Sequence, residues 1–184
     1  SGYVLISGKT GSCPTCVTIT QFAGIVPVKA EKQELSKTPL DVGDKIPSGT
    51  VFAGSGEKVE IKNLLAKKPT VLVFYRGGWC PFCNRHLSSI VDIIPELDQM
   101  GVQLVAISPD RYQILNAKKD LSDLPYQLLS DSSMEWTRRL GIAFQVPDEL
   151  VGKYKKSYNI DIEADSGETH HLLPHPSVFV VDQD

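Results

Sequence analysis

The sequence predicts an α/β layered fold with parallel strand pairings. Three observations carry that prediction. From Asp41 onward, short runs of strand character alternate with segments of helical period. Thr70 to Tyr75 is a continuous apolar run, as expected of a strand covered on both faces in mid-sheet. That run passes through Gly77-Gly78 into Cys80-Pro81-Phe82-Cys83, where proline suits the first turn of a helix because its missing N–H costs nothing there.

Taken in order, residues 1–40 form an N-terminal extension that is hard to read. Tyr3 to Ile6 and Cys16 to Thr20 have strand character, broken by Gly8, Gly11 and Pro14. Glu31 to Lys37 is polar, a short helix or a linker. The regular domain is expected over 41–184. Val51-Phe52 and Lys58-Val59-Glu60 read as short strands around Gly54-Ser55-Gly56. Ile61 to Lys67 reads as a short helix stopped by Lys68-Pro69. In the helix after Pro81, Leu87, Ile90, Val91, Ile94 and Leu97 recur at helical spacing and define one buried face. Pro95 is expected to kink it and Gly101 to close it. Val102 to Ile107 is the next strand, and Ser108-Pro109-Asp110 opens a helix running to Lys119. Tyr126 to Leu129 reads as a strand, and Ser132 to Leu140 and Pro147 to Tyr158 as helices. Ser177 to Val181 is a final apolar strand.

The chain of 184 residues carries 41% hydrophobic and 22% charged residues, ordinary proportions for a folded domain. Its net charge of -3 offers no electrostatic basis for holding nucleic acid or an anionic membrane. No apolar run is long enough to span a bilayer. A soluble protein is expected, cytoplasmic in preference to periplasmic.

The four cysteines fall in two Cys-x-x-Cys pairs, Cys13/Cys16 and Cys80/Cys83. Such short spacings point to redox or metal chemistry more than to a secreted disulfide scaffold. Cys80, at a helix N-terminus, meets backbone N–H groups and the positive end of the helix dipole, which favour a thiolate. Cys83, one turn on, is placed to attack a mixed disulfide on Cys80. The competing reading is zinc held by all four thiolates, although the pairs lie farther apart than in the usual zinc ribbons. Cys13 and Cys16 are open between an electron relay, a local disulfide and no role. Arg76 either stabilises a thiolate or peroxide anion or is a turn residue. Trp79 is expected to pack beside the sulfurs. His175 either lies near them or belongs to a histidine-rich loop with His170 and His171. His86 reads as a helix-face residue, and Arg138 and Arg139 as a helix end complementing the dipole.

Four segments together resemble the thioredoxin superfamily, and more narrowly the peroxiredoxin-like branch of the alkyl hydroperoxide reductase/thiol-specific antioxidant (AhpC/TSA) family. They are Phe74-Tyr75-Arg76-Gly77-Gly78-Trp79-Cys80-Pro81-Phe82-Cys83, Val105 to Asp110, Leu128-Leu129-Ser130-Asp131 with the later Leu140-Gly141-Ile142, and Leu173 to Asp182. The resemblance implies a thioredoxin-like fold with a central mixed sheet, over a domain lacking the family's final strand and helix unless N-terminal strands supply that edge. It implies a cis Pro176 facing the sulfurs. It also implies a disulfide or peroxide substrate, a thioredoxin-like or small-thiol electron donor, and no cofactor. One departure counts. With Cys80 placed last, the Pro-x-x-x-Thr-x-x-Cys pattern of typical peroxiredoxins meets Val73 and Gly77, so its threonine hydroxyl is missing. That absence, with Cys83 present, favours thiol-disulfide exchange while leaving peroxide reduction open.

Overall fold

The computed structural model describes residues 38–115 and 124–183, and the backbone of Tyr3–Leu5. A seven-stranded mixed sheet is built from β1 (Tyr3–Leu5), β2 (Thr50–Ala53), β3 (Lys58–Glu60), β4 (Thr70–Phe74), β5 (Gln103–Ser108), β6 (Gln127–Ser130) and β9 (Ser177–Val181). Their spatial order is β1-β9-β4-β5-β6-β2-β3. The central strands β4, β5 and β6 run parallel, with Phe74 opposite Ile107 and Ser108 opposite Ser130. β9 pairs antiparallel with β4, and β1 pairs antiparallel with β9 on its outer edge. A second, two-stranded sheet joins β7 (Ala143–Gln145) to β8 (Leu172–Pro174).

The apolar run of β4 serves both faces of the sheet. Leu72 and Phe74 point into one core with Val105, Ile107, Trp136 and Phe179. Val73 and Tyr75 point into the other with Cys80, Cys83, Leu87, Ile90 and Ala106. This is the period-two alternation of a strand with both sides covered. On the first face lie α1 (Ile61–Leu65) and α4 (Glu135–Arg139). On the second lies α2 (Pro81–Ile90), which buries Cys83, Leu87 and Ile90 at helical spacing. Burying a side chain such as Leu87 is worth ~1.5–3 kcal/mol.

Several expectations shift here. Pro95 does not kink one long helix. It starts a new one, α3 (Ile94–Gln99), after a 3-10 turn at Val91–Ile93. Proline cannot donate to the carbonyl four residues back and its ring crowds that carbonyl, so the break falls in the preceding turn. Gly101 does follow this helix, at φ 69°. The helix expected from Ser108 to Lys119 is reduced, within the described residues, to a 3-10 turn at Tyr112–Ile114. Ser108 remains in β5 and Arg111 is extended, so nothing before Tyr112 is helical. The segment after Pro147 is α5 (Asp148–Tyr158), and a further short helix, α6 (Ile162–Ser166), follows it. Most plainly, the bond before Pro176 is trans, and no described peptide bond is cis. Trans is the ground state by ~0.5–1 kcal/mol, and the link between β8 and β9 is made without leaving it.

Candidate functional site

The site is built where β4 ends. Tyr75 N–H still donates to the Ile107 carbonyl at 3.0 Å, and then the chain turns through Gly77 and Gly78 into α2. Gly77 sits at φ 141°, and a Cβ there would lie 2.6 Å from Trp79 Nε1 and 2.8 Å from Asp110 Oδ1. Only glycine fits this backbone and this space. The position that would carry the peroxide-orienting threonine hydroxyl therefore has no room for a side chain at all.

Cys80 is the N-cap of α2, with Pro81 at the first helical position. Its Sγ accepts a hydrogen bond from Cys83 N–H at 3.4 Å and from the Cys83 thiol at 2.7 Å. Both cysteines are free thiols and both are buried, at 7% and 6% exposure. The two donated bonds lower the Cys80 pKa, the Cys83 thiol contributing most. Burial opposes them, and the Arg76 charge and the Phe82 backbone N–H add to the lowering; the thiol settles at about 6. Cys83 moves the other way. The hydrogen bond it gives to Cys80, then burial, then the Cys80 negative charge all hold its proton on. The two shifts run in opposite directions, so Cys80 is the sulfur that ionises first.

The surrounding side chains fall as follows. Trp79 bridges two apolar clusters, that of the sulfurs and a smaller one under α5, where its ring lies 5.8 Å from Tyr154. Phe82, two residues after Cys80, is 53% exposed. Arg76 is half-buried, with its guanidinium 5.8 Å from the centre of the Phe144 ring, and its charge acts on both sulfurs and on His175. It is therefore not an exposed turn residue. His175 stacks on Phe144 at 4.4 Å. Burial, then Arg76, lowers its pKa to about 4, so it is neutral at pH 7. Pro176 follows it, half-buried, immediately before β9.

The other two histidines belong elsewhere. His170 Nδ1 accepts from Leu172 N–H, so Nε2 carries the proton and donates to the Ser132 carbonyl at 2.7 Å. His171 faces Asp148 Oδ1 at 3.1 Å and Glu163 Oε1 at 2.7 Å, a geometry that asks for protons on both ring nitrogens. His86 is a half-buried residue of α2, as its spacing implied, and burial lowers its pKa. Arg139, at the end of α4, pairs with Glu135. Cys13 and Cys16 lie outside the described residues. Among the described residues, no group of three or more His, Cys, Asp or Glu side chains converges to hold a metal, and the zinc reading finds no support. No described helix is long and apolar enough to cross a membrane.

Two further residues hold the Gly77–Gly78 turn: Asp110, which the sequence marks only as a helix opener, and Asn84, which no motif marks. Asp110 Oδ2 accepts from Gly78 N–H at 2.7 Å, and Asn84 Nδ2 donates to the Gly78 carbonyl at 2.9 Å. Asp110 arrives from the far end of β5, so no local spacing links it to Cys80. Asn84 lies next to Cys83 in sequence, but nothing in its type sets it apart from an ordinary helix residue.

Residues 42–184 match the family model described as AhpC/TSA family. Peroxiredoxin-2E, chloroplastic, of Arabidopsis thaliana is 32% identical over 137 residues, covering 70% of this chain and 58% of that protein. Peroxiredoxin bcp1 of Schizosaccharomyces pombe is 28% identical over 123 residues, covering 67% and 63%. The thiol-disulfide oxidoreductase ResA of Bacillus thuringiensis is 20% identical over 145 residues, covering 79% and 66%. The chain thus spans roughly three fifths of the length of the first two. Among solved structures, the peroxidoxin BcpB of Mycobacterium tuberculosis superposes with a TM-score of 0.59 at 21% identity, covering 77% of this chain and 79% of that one. This structural likeness bears on the fold, a central mixed sheet flanked by helices.

Proposed function

Since this chain belongs to the AhpC/TSA family, we propose that it is a cysteine-based thiol-disulfide oxidoreductase, with Cys80 as nucleophile and Cys83 as resolving thiol. The observation that carries this is geometric: Cys80 Sγ, at the N-cap of α2, accepts the Cys83 thiol at 2.7 Å and the Cys83 N–H at 3.4 Å, an arrangement that favours ionisation of Cys80 over Cys83. The Cys80 thiolate attacks one sulfur of a substrate disulfide. That S–S bond breaks, one substrate thiolate leaves, and a mixed disulfide forms on Cys80. Cys80 no longer carries a negative charge, so the interaction that held the Cys83 proton is gone. Cys83 loses that proton and attacks Cys80 Sγ, and the second substrate thiol departs. The protein is left with a Cys80–Cys83 disulfide, and the substrate has gained two electrons. A thioredoxin-like protein or a small thiol then returns the dithiol by the same exchange in reverse. Trp79, Pro81 and Pro176 shape the surface around the sulfurs, and Arg76 and the neutral His175 set its polarity.

A second reading, thiol-dependent peroxidase, is favoured by the peroxiredoxin relatives. There the Cys80 thiolate attacks one peroxide oxygen, the O–O bond breaks, and the other oxygen leaves as hydroxide or alkoxide. Sulfenic acid forms, and Cys83 displaces its oxygen as water. The filled space at Gly77 weighs against this reading, because no hydroxyl can orient a peroxide from that position.

One pair of assays decides between them. Reduced protein is offered insulin disulfides or hydrogen peroxide, alongside Cys80→Ser. Insulin reduction that disappears in Cys80→Ser, with no peroxide consumed, is the expected result. Peroxide consumption that disappears in Cys80→Ser establishes the second reading. Neither activity in the wild type overturns both.

A further inference from the structure

Taking Cys80 as the nucleophile, as proposed above, we propose that Asp110 and Asn84 are its positioning residues, acting through the Gly77–Gly78 turn. Asp110 is only 4% exposed. A carboxylate taken out of water costs several kcal/mol unless its oxygens are hydrogen-bonded, so a buried one implies a purpose for its bonds. Its Oδ2 receives Gly78 N–H at 2.7 Å and the Ser108 hydroxyl at 2.9 Å, while its own N–H donates to Ser108 Oγ at 3.3 Å. On the opposite side, Asn84 Nδ2 reaches from α2 to the Gly78 carbonyl at 2.9 Å. Gly78 is therefore gripped at both its N–H and its carbonyl, by the end of β5 and by the first turn of α2.

That grip is passed to Cys80. Cys80 N–H closes the turn on the Gly77 carbonyl at 3.1 Å. Gly77 itself is wedged, with Asp110 Oδ1 and Trp79 Nε1 filling the space of its missing Cβ. The turn has one seat, and from it the Cys80 Sγ lines up with both donors of Cys83. A rotation at Gly78 would swing Sγ off that line, and hydrogen bonds weaken steeply with angle.

The sign of the effect separates this role from a bare charge effect. A negative carboxylate near a thiolate disfavours it, so removing the charge alone would lower the Cys80 pKa. Losing the grip would raise it. In the full chain, Asp110→Ala, Asp110→Asn and Asn84→Ala are compared with wild type by the pH dependence of Cys80 alkylation with iodoacetamide, beside urea unfolding. Asp110→Ala and Asn84→Ala are expected to raise the Cys80 pKa by at least about one unit, which takes the thiolate at pH 7 from about nine-tenths to about one-half or less. Asp110→Asn keeps an acceptor for Gly78 N–H and is expected to stay within about half a unit of wild type. An unchanged or lowered pKa in folded Asp110→Ala overturns the proposal. If Asp110→Ala does not fold, an unchanged pKa in Asn84→Ala does so. Failure of the functional reading looks different, because the wild-type Cys80 itself then shows an ordinary thiol pKa.

Discussion

Replacing Cys83 by alanine should silence the nucleophile without touching it. The Cys80 thiol falls from an ordinary 9.0 to about 6, and the largest cause is the proton that Cys83 donates across 2.7 Å. A fall of that size corresponds to about 4 kcal/mol favouring the thiolate. At pH 7 a thiol of pKa 6 is about nine-tenths ionised, and one of pKa 8 about one-tenth. Cys83→Ala removes the thiol donor but keeps the backbone N–H and Arg76, so it should return roughly two of those three units. Cys83→Ser keeps a donor on the same carbon and should return far less. The assay is the rate of Cys80 alkylation between pH 4 and pH 10, read by mass spectrometry on reduced protein. The expected pattern is a midpoint near 6 in wild type, near 8 in Cys83→Ala, and between them in Cys83→Ser. If Cys83→Ala keeps the wild-type midpoint, the depression comes from the helix end alone and the division of labour between the sulfurs is wrong.

Three further outcomes follow from the same geometry. Gly77→Ala should cost ~2–4 kcal/mol in urea unfolding, because it adds backbone strain at φ 141° to a clash with Trp79 and Asp110; a loss under about 0.5 kcal/mol would mean the turn has slack. The His171 pKa is raised, first by its hydrogen bond to Glu163 and, against some burial, by Asp148. Its contribution is therefore fully present below the unfolded value near 6.5 and is lost as pH rises through the higher folded value. The stability gap between wild type and His171→Gln should shrink as pH rises across that window, and a gap that widens refutes the pairing. Trp136→Phe should cost ~1–3 kcal/mol in thermal unfolding, since the indole is 1% exposed and its Nε1–H donates to the Pro47 carbonyl at 3.0 Å.

What the chain reveals on reading, and what it hides, divides along local and distant causes. β4 and β9 were legible because they are unbroken β-branched and apolar runs, and α2 because Pro81 marks its start and Leu87 and Ile90 its buried face. The sulfur pair was legible for the same reason, its spacing and helix end being local. α6 and the β7–β8 pair were not, since each is three to five residues long and is stabilised by packing across the second sheet and the α5 cluster. The trans bond at Pro176 could not be told from a cis one, since sequence sets only a small bias between them. Asp110 read as a helix opener after Ser108-Pro109, and only the tertiary fold shows it turned inward to Gly78. Arg76 was ambiguous in the sequence for a related reason. Its place is decided by Phe144 of β7 and by His175 in the link between β8 and β9, both far along the chain.

In the proposed mechanism Cys80 strikes first and Cys83 resolves. Reduced Cys83→Ala and reduced wild type are each given one equivalent of a small aromatic disulfide and quenched with acid, and the products are mapped by mass spectrometry. The mixed disulfide should accumulate on Cys80 in Cys83→Ala, while wild type should release both substrate thiols and hold a Cys80–Cys83 disulfide. Substrate attached to Cys83 in a Cys80→Ala protein at the same rate, or a wild type that stops at the mixed disulfide, would contradict the account.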